Sequence, residues 1–140
     1  MRYWDSSAIL ALALAEPTGS VVRSLLDSDA DIVTWWATRV ECASGIARQE
    51  RDEALDASTI ALARRRVDGF ASSWREVVPS DDVRDQALSL LAKHRLRAAD
   101  ALQLAAAILA AAGDRTSTAF VALDMRLRDA AAAEGFDILP

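Results

Sequence analysis

Four acidic residues, Asp5, Glu41, Asp100 and Asp124, are spread through a chain of 140 residues in settings that suggest more than surface charge. Clustered carboxylates repel and raise one another's pKa unless cations neutralise them. A site made only of oxygen donors suits Mg²⁺ or Mn²⁺. Such ions activate water and steady the charge on a transferring phosphoryl group, so convergence of the four would point to phosphodiester hydrolysis.

Each acid has an ordinary alternative. Asp100 sits in Ala98-Ala99-Asp100-Ala101-Leu102-Gln103-Leu104-Ala105, a helical stretch apolar almost all round. Such helices are buried, and a buried carboxylate needs a partner, a hydrogen bond or a metal. Asp100 could instead cap its own helix or pair with Arg95 or Arg97, and Gln103 lies one turn on along the same face. Glu41 lies near a helix start among Val40, Cys42 and Ala43, with Gly45 one turn later leaving room for something to approach. It could equally interact with the helix N-terminus or pair with Arg48. Asp5 and Asp124, at strand-to-helix turns, are also plausible N-caps.

Other chemistries lack their residues. One histidine, His94, rules out sites built from two or three, and with a single cysteine the usual zinc sites cannot be assembled within one chain. A Ser-His-Asp triad would need His94, whose setting Lys93-His94-Arg95 reads as an exposed helix end. The five glycines form neither a dinucleotide fingerprint nor a phosphate-cradling loop. Cys42 alone can form no intrachain disulfide, which makes a reduced cytoplasm the default, and it reads as a small buried hydrophobe.

The elements that must position the acids follow from periodicity. Strands are expected at Arg2–Trp4, Ile32–Trp35, Glu76–Pro79, Ala119–Leu123 and Asp137–Leu139. Helices are expected after Asp5-Ser6-Ser7, from Pro17 to about Leu26, from Thr38 to about Asp52, from about Asp56 to Trp74, after the Ser80-Asp81-Asp82 cap, over Ala98–Ala112 and from Met125 to about Glu134. Strands alternating with helices imply a mostly parallel sheet with helices on both faces, and ligands in such sheets sit beyond the carboxyl ends of the strands. Asp5 and Asp124 each fall at such an end.

The apolar fraction of 52% is ordinary, and no linker, charge block or repeat divides the chain, so one domain across residues 1–140 is expected. The longest apolar stretch, Leu104–Ala112, is well short of the ~20 residues a membrane span requires, and neither it nor Ala8–Ala15 reads as an export signal. A net charge of −5 argues against bulk attraction to nucleic acid, so such contact must be local. Arg48, Arg51 and Arg64–Arg66 read as solvated helix faces. The paired Trp35 and Trp36 fit packing in the core or at a dimer interface better than base stacking.

The segments Tyr3-Trp4-Asp5-Ser6-Ser7, Arg39-Val40-Glu41, Leu96 to Ala105 and Leu123-Asp124-Met125-Arg126-Leu127 resemble, in order along nearly the whole chain, the motifs of PIN-domain nucleases, most closely VapC-type toxins. The resemblance implies a three-layer α/β/α fold around a mostly parallel sheet, a homodimer, and endoribonuclease activity with Mg²⁺ or Mn²⁺ that leaves a 5′-phosphate and a 3′-hydroxyl. It also implies neutralisation by a small cognate antitoxin. On that likeness Asp5 and Asp100 would be the main metal ligands, Glu41 and Asp124 would complete the site, and Ser6 would hydrogen-bond beside Asp5. Two positions depart from the pattern: Ala122 stands where the family often has Ser or Thr, and Gln103 where His is common. The competing reading is a catalytically weak PIN-like module that binds RNA or a protein; a purely structural reading makes the acids caps and the Ala-rich helix core.

Overall fold

The computed structural model describes residues 1–17 and 19–140. Among them are five strands and seven helices: β1 (Arg2–Trp4), α1 (Ser6–Leu14), α2 (Gly19–Ser28), β2 (Ile32–Trp35), α3 (Thr38–Arg51), α4 (Ala57–Ala71), β3 (Arg75–Val77), α5 (Asp81–Lys93), α6 (Ala98–Ala110), β4 (Ala119–Val121), α7 (Met125–Ala133) and β5 (Asp137–Leu139). Every strand pairing is parallel, in the order β3-β2-β1-β4-β5. The chain winds outward from β1 to β3, then crosses the sheet to β4, so the topological switch lies between β1 and β4.

Successive strand residues face opposite sides of a sheet, and two apolar layers follow from that alternation. Tyr3, Val33, Trp35 and Phe120 pack with α5, α6 and α7, with Tyr3 and Phe120 stacked at 5.4 Å between ring centroids. Trp4, Ile32 and Val121 pack on the other face with α1, α2, α3 and α4. The result is the expected α/β/α sandwich. Trp4, Tyr3 and Phe120 are fully buried, which makes β1 and β4 the spine of the core.

Helix starts follow capping chemistry. Asp56 caps α4 through Thr59, Ser80 caps α5 through Val83, and Asp124 caps α7 through Leu127. The helix expected from Pro17 passes through Thr18, which lies outside the described residues. β3 runs over Arg75–Val77 rather than the expected Glu76–Pro79, and three further spans end sooner than expected. α4 closes at Ala71, where Ser72 and Trp74 amides bond back into its last turn and free the chain for β3. α6 stops at Ala110 because Ala112 (φ 48°) and Gly113 (φ +93°) turn left-handed. β4 ends at Val121, and Ala122 and Leu123 lead to the α7 cap.

Gly45 marks where α3 crosses α1. A β-carbon there would stand 2.4 Å from Leu10 Cδ2, so the room at Gly45 is filled by Leu10, not by a ligand. No single helix among the described residues is long and apolar enough to cross a membrane.

His94 is not the exposed helix end expected from its basic neighbours. It is half-buried at the C-cap of α5, 2.9 Å from Glu134, which Arg115 also meets at 3.1 Å. These partners hold the Glu134 carboxyl below its usual range, through the His94 hydrogen bond first. An acid with a lowered folded pKa stabilises the fold above its unfolded pKa and loses that contribution as pH falls through the folded one. Glu134→Gln should therefore cost about 1 kcal/mol at pH 7, roughly 3 °C in melting temperature, and the gap to wild type should close below about pH 4 in thermal denaturation.

Candidate active site

β1 delivers Asp5 to the carboxyl edge of the sheet at its topological switch. The Asp5 amide continues the ladder by donating to the Val121 carbonyl at 2.9 Å, and the side chain caps α1 by accepting the Ser7 amide at 2.9 Å. Asp5 is only 4% exposed. Burial is the main reason its carboxyl is pushed up to about 6; hydrogen bonds from Ser7 oppose the shift and the charge of Glu41 adds to it. The hydroxyl that bonds Asp5 belongs to Ser7, not Ser6. Ser6 instead offers its carbonyl to Cys42 Sγ at 3.7 Å.

Ser7 has a second task, since its Oγ accepts the Leu123 amide at 2.9 Å. One hydroxyl thus joins the Asp5 carboxylate to the segment leading into Asp124. Ala122, which carries no hydroxyl, is completely buried, and its carbonyl accepts from Arg128 of α7. The hydroxyl in this part of the site comes from α1.

Glu41 lies in the first turn of α3, and its Oε2 accepts Gln103 Nε2 of α6 at 2.9 Å. Glu41 and Asp5 feel each other's charge, and both raise the pKa of the Cys42 thiol, which burial above all pushes up to about 12. A thiol held protonated and enclosed is no nucleophile, in line with its reading as a small hydrophobe. Tyr3 is likewise raised, by burial first and then by Asp5 and Glu41.

Asp100 occupies the first turn of α6, where its Oδ2 accepts the Arg97 amide at 3.2 Å. Asp124 follows β4 and its Oδ1 accepts the Leu127 amide at 3.0 Å. Both are half-buried and tied to their own helix starts. The structure brings Asp5 and Glu41 into electrostatic contact, and sets Asp100 at the start of α6, one turn before the Gln103 that bonds Glu41, and Asp124 at the start of α7. It does not close the four into a cage: among the described residues no three His, Cys, Asp or Glu side chains converge closely enough to enclose an ion.

One regularity runs through the set. Each carboxylate is anchored through one oxygen, Asp5 Oδ2, Glu41 Oε2, Asp100 Oδ2 and Asp124 Oδ1, and among the described residues no hydrogen bond engages the other in Glu41, Asp100 or Asp124, while the Ser6 amide also acts on Asp5. Such donors fit a hard divalent cation of the Mg²⁺ kind, which keeps several waters and takes only one or two carboxylates. Thr38 and Tyr3, which adjoin these acids through Gln103, were not singled out in the sequence. Thr38 sits one helical turn before Glu41, on the same face, and Tyr3 is the polar-tipped aromatic of a buried strand; both spacings are readable once the elements are drawn.

The sequence matches the PIN domain over residues 2–133. It is 31% identical over 138 residues to ribonuclease VapC45 of Mycobacterium tuberculosis strain CDC 1551, covering 99% of this chain and 94% of that one. The same figures hold for ribonuclease VapC49 of Mycobacterium tuberculosis strain H37Rv. PAE2754 from Pyrobaculum aerophilum shares the fold, with a TM-score of 0.62 at 19% identity over 92% of this chain and 78% of that chain. With the match spanning Asp5, Glu41, Asp100 and Asp124, the chain belongs to the PIN-domain family and is of the VapC type.

Proposed function

We propose that this chain, acting as one unit, is a metal-dependent endoribonuclease and the toxin of a toxin–antitoxin pair. The observation that supports the reading is that Asp5 and Glu41 lie in electrostatic contact at the sheet's switch point, and that Glu41, Asp100 and Asp124 are each anchored through one oxygen with no hydrogen bond to the other among the described residues. The ribonuclease relatives supply the substrate class. Asp5 and Glu41, with Asp100 and Asp124 beside them, would hold Mg²⁺ or Mn²⁺. When bound, the ion supplies positive charge that favours ionisation of a water nucleophile and offsets charge on the transferring phosphoryl group. Asp5, ionised at neutral pH against its surroundings, is the acid with most to gain from that charge. Ser7 keeps its carboxylate oriented while Leu123 holds Ser7.

The acidic chain needs local cations for RNA. Arg95 and Arg126 are exposed around a hollow that His94 and Asp129 also line, next to the starts of α6 and α7, and neither arginine is in an ion pair among the described residues. An RNA substrate and a small protein antitoxin imply work in the cytoplasm. The homodimer has support in exposed apolar side chains: Leu88 and Leu91 line a hollow that shares Arg84 and Leu102 with a second one, and Trp36 (52% exposed) and Val78 are exposed next in sequence to Trp35 and Pro79, which line that second hollow. Patches of this kind are normally covered. Trp35, by contrast, is core.

Three outcomes follow. Asp100→Asn should lower Mn²⁺-dependent cleavage of structured RNA by more than about a hundredfold with the circular dichroism spectrum unchanged; full activity would sink the assignment. Leu88→Glu should shift the sedimenting species from dimer to monomer. Asp5→Asn bears on the acid itself. Between pH 3.8 and about 6 the folded chain holds a proton that the unfolded chain has released. The ionised form therefore opposes folding above pH 6, by on the order of 2–3 kcal/mol. Asn keeps the cap, so in chelator at pH 7 the variant should melt several degrees above wild type, with the gain gone below about pH 4. Saturating Mn²⁺ should raise wild type and leave the variant largely unmoved.

A further inference from the structure

A buried polar network between β1, β2, α3 and α6 takes no direct part in the chemistry proposed above. Its members Tyr3, Thr34, Thr38 and Gln103 are at most 1% exposed. Polar side chains so enclosed are tolerable only when their donors and acceptors are matched, so the direction of every proton matters.

That direction can be worked out from one end. Thr34 Oγ1 is 2.7 Å from the Trp4 carbonyl, which can only accept, so Thr34 gives its proton there. The 2.7 Å contact between the two threonine hydroxyls is then donated by Thr38. Thr38 has thereby used its only proton, and its 3.0 Å contact with Gln103 Nε2 is donated by the amide. On the other side the Tyr3 hydroxyl donates to Gln103 Oε1 at 2.8 Å. The second amide proton of Gln103 goes to Glu41 Oε2 at 2.9 Å.

Turning the Gln103 amide over would set its oxygen against the Glu41 carboxylate and against a threonine oxygen with no proton left to give. Both contacts would be acceptor against acceptor. The amide is therefore held one way round, with only donors toward Glu41. A glutamate on a half-exposed helix face has rotatable bonds to spare, and this contact is the hydrogen bond that restrains its carboxylate.

We propose that Gln103 is the positioning residue for Glu41: its amide, locked by Tyr3 and Thr38, holds Oε2 of Glu41 and leaves Oε1 for a divalent cation shared with Asp5. This rests on the metal-dependent reading of the four acids. It also gives Tyr3 a purpose beyond packing, since removal of its phenolic oxygen takes away the partner of Gln103 Oε1 and loosens the amide without touching any acid.

The test has two arms on the full chain without RNA. In metal-free protein, nitrogen-15 NMR should find the Gln103 side-chain amide protons slow to exchange, with one displaced by Glu41→Gln. In Mn²⁺ titrations followed by electron paramagnetic resonance, Gln103→Met should weaken binding by about ten- to a hundredfold and Tyr3→Phe by about threefold. Mn²⁺ affinity within twofold of wild type in Gln103→Met, or an amide that exchanges as fast as an exposed one, overturns the proposal. Should Gln103→Met fail to fold, Tyr3→Phe decides: unchanged amide exchange and unchanged affinity overturn it. A wild-type chain that binds no Mn²⁺ removes the metal reading instead, and the amide arm then decides whether Gln103 holds Glu41.

Discussion

A carboxylate placed directly after two fully buried strand residues is the constraint around which this molecule is organised. Tyr3 and Trp4 have no exposed surface, and Asp5, the next residue, keeps 4%. Withdrawing an ionisable group from water to that extent is unfavourable for the charged form, and the protein meets the difficulty locally and incompletely. The Ser7 amide and hydroxyl bind one oxygen, the start of α1 lies next to it, and the carboxyl still titrates near 6. The fold thus keeps an acid in a condition that favours either a proton or a cation.

The same three strand residues serve sheet, core and site together. Tyr3 sends its ring against Phe120 and its hydroxyl to Gln103. Trp4 fills the opposite layer while its carbonyl accepts from Thr34. Asp5 extends the ladder to Val121 before its side chain turns to cap α1. Because β1 lies between β2 and β4, residues from α3, α6 and the β4–α7 turn are referred to one short strand, and their relative placement inherits its rigidity.

Much of this was legible in the sequence because it is local. The β-branched and aromatic runs of β2 and β4, the Ser80 cap and the apolar wrap of α6 are matters of neighbouring residues. They placed Asp5 and Asp124 after strands and Glu41 and Asp100 in first turns. What escaped depends on residues far apart in the chain. Ser7 rather than Ser6 reaches Asp5 because an N-cap carboxylate accepts from residues beyond its immediate neighbour, and Leu123 then fixes that hydroxyl from 116 residues away. The space at Gly45 belongs to Leu10, and His94 is covered through Glu134, 40 residues on. Trp35 and Trp36 separate into core and surface because adjacent residues at a strand end point opposite ways.

The position of β1 also bears on how the protein is made. β1 is paired on one side to β4, residues 119–121, far along the chain from it. Loop closure over such a distance is slow, and a nascent chain stopped short of that point has nothing to cover Tyr3 and Trp4 on that side. Asp5 in such a fragment sits in water with an ordinary acidity and no Leu123 to steady its serine. Asp5 and the turn carrying Asp124 therefore come together only once β4 has paired with β1, so a chain interrupted before β4 lacks the arrangement as a whole rather than in part.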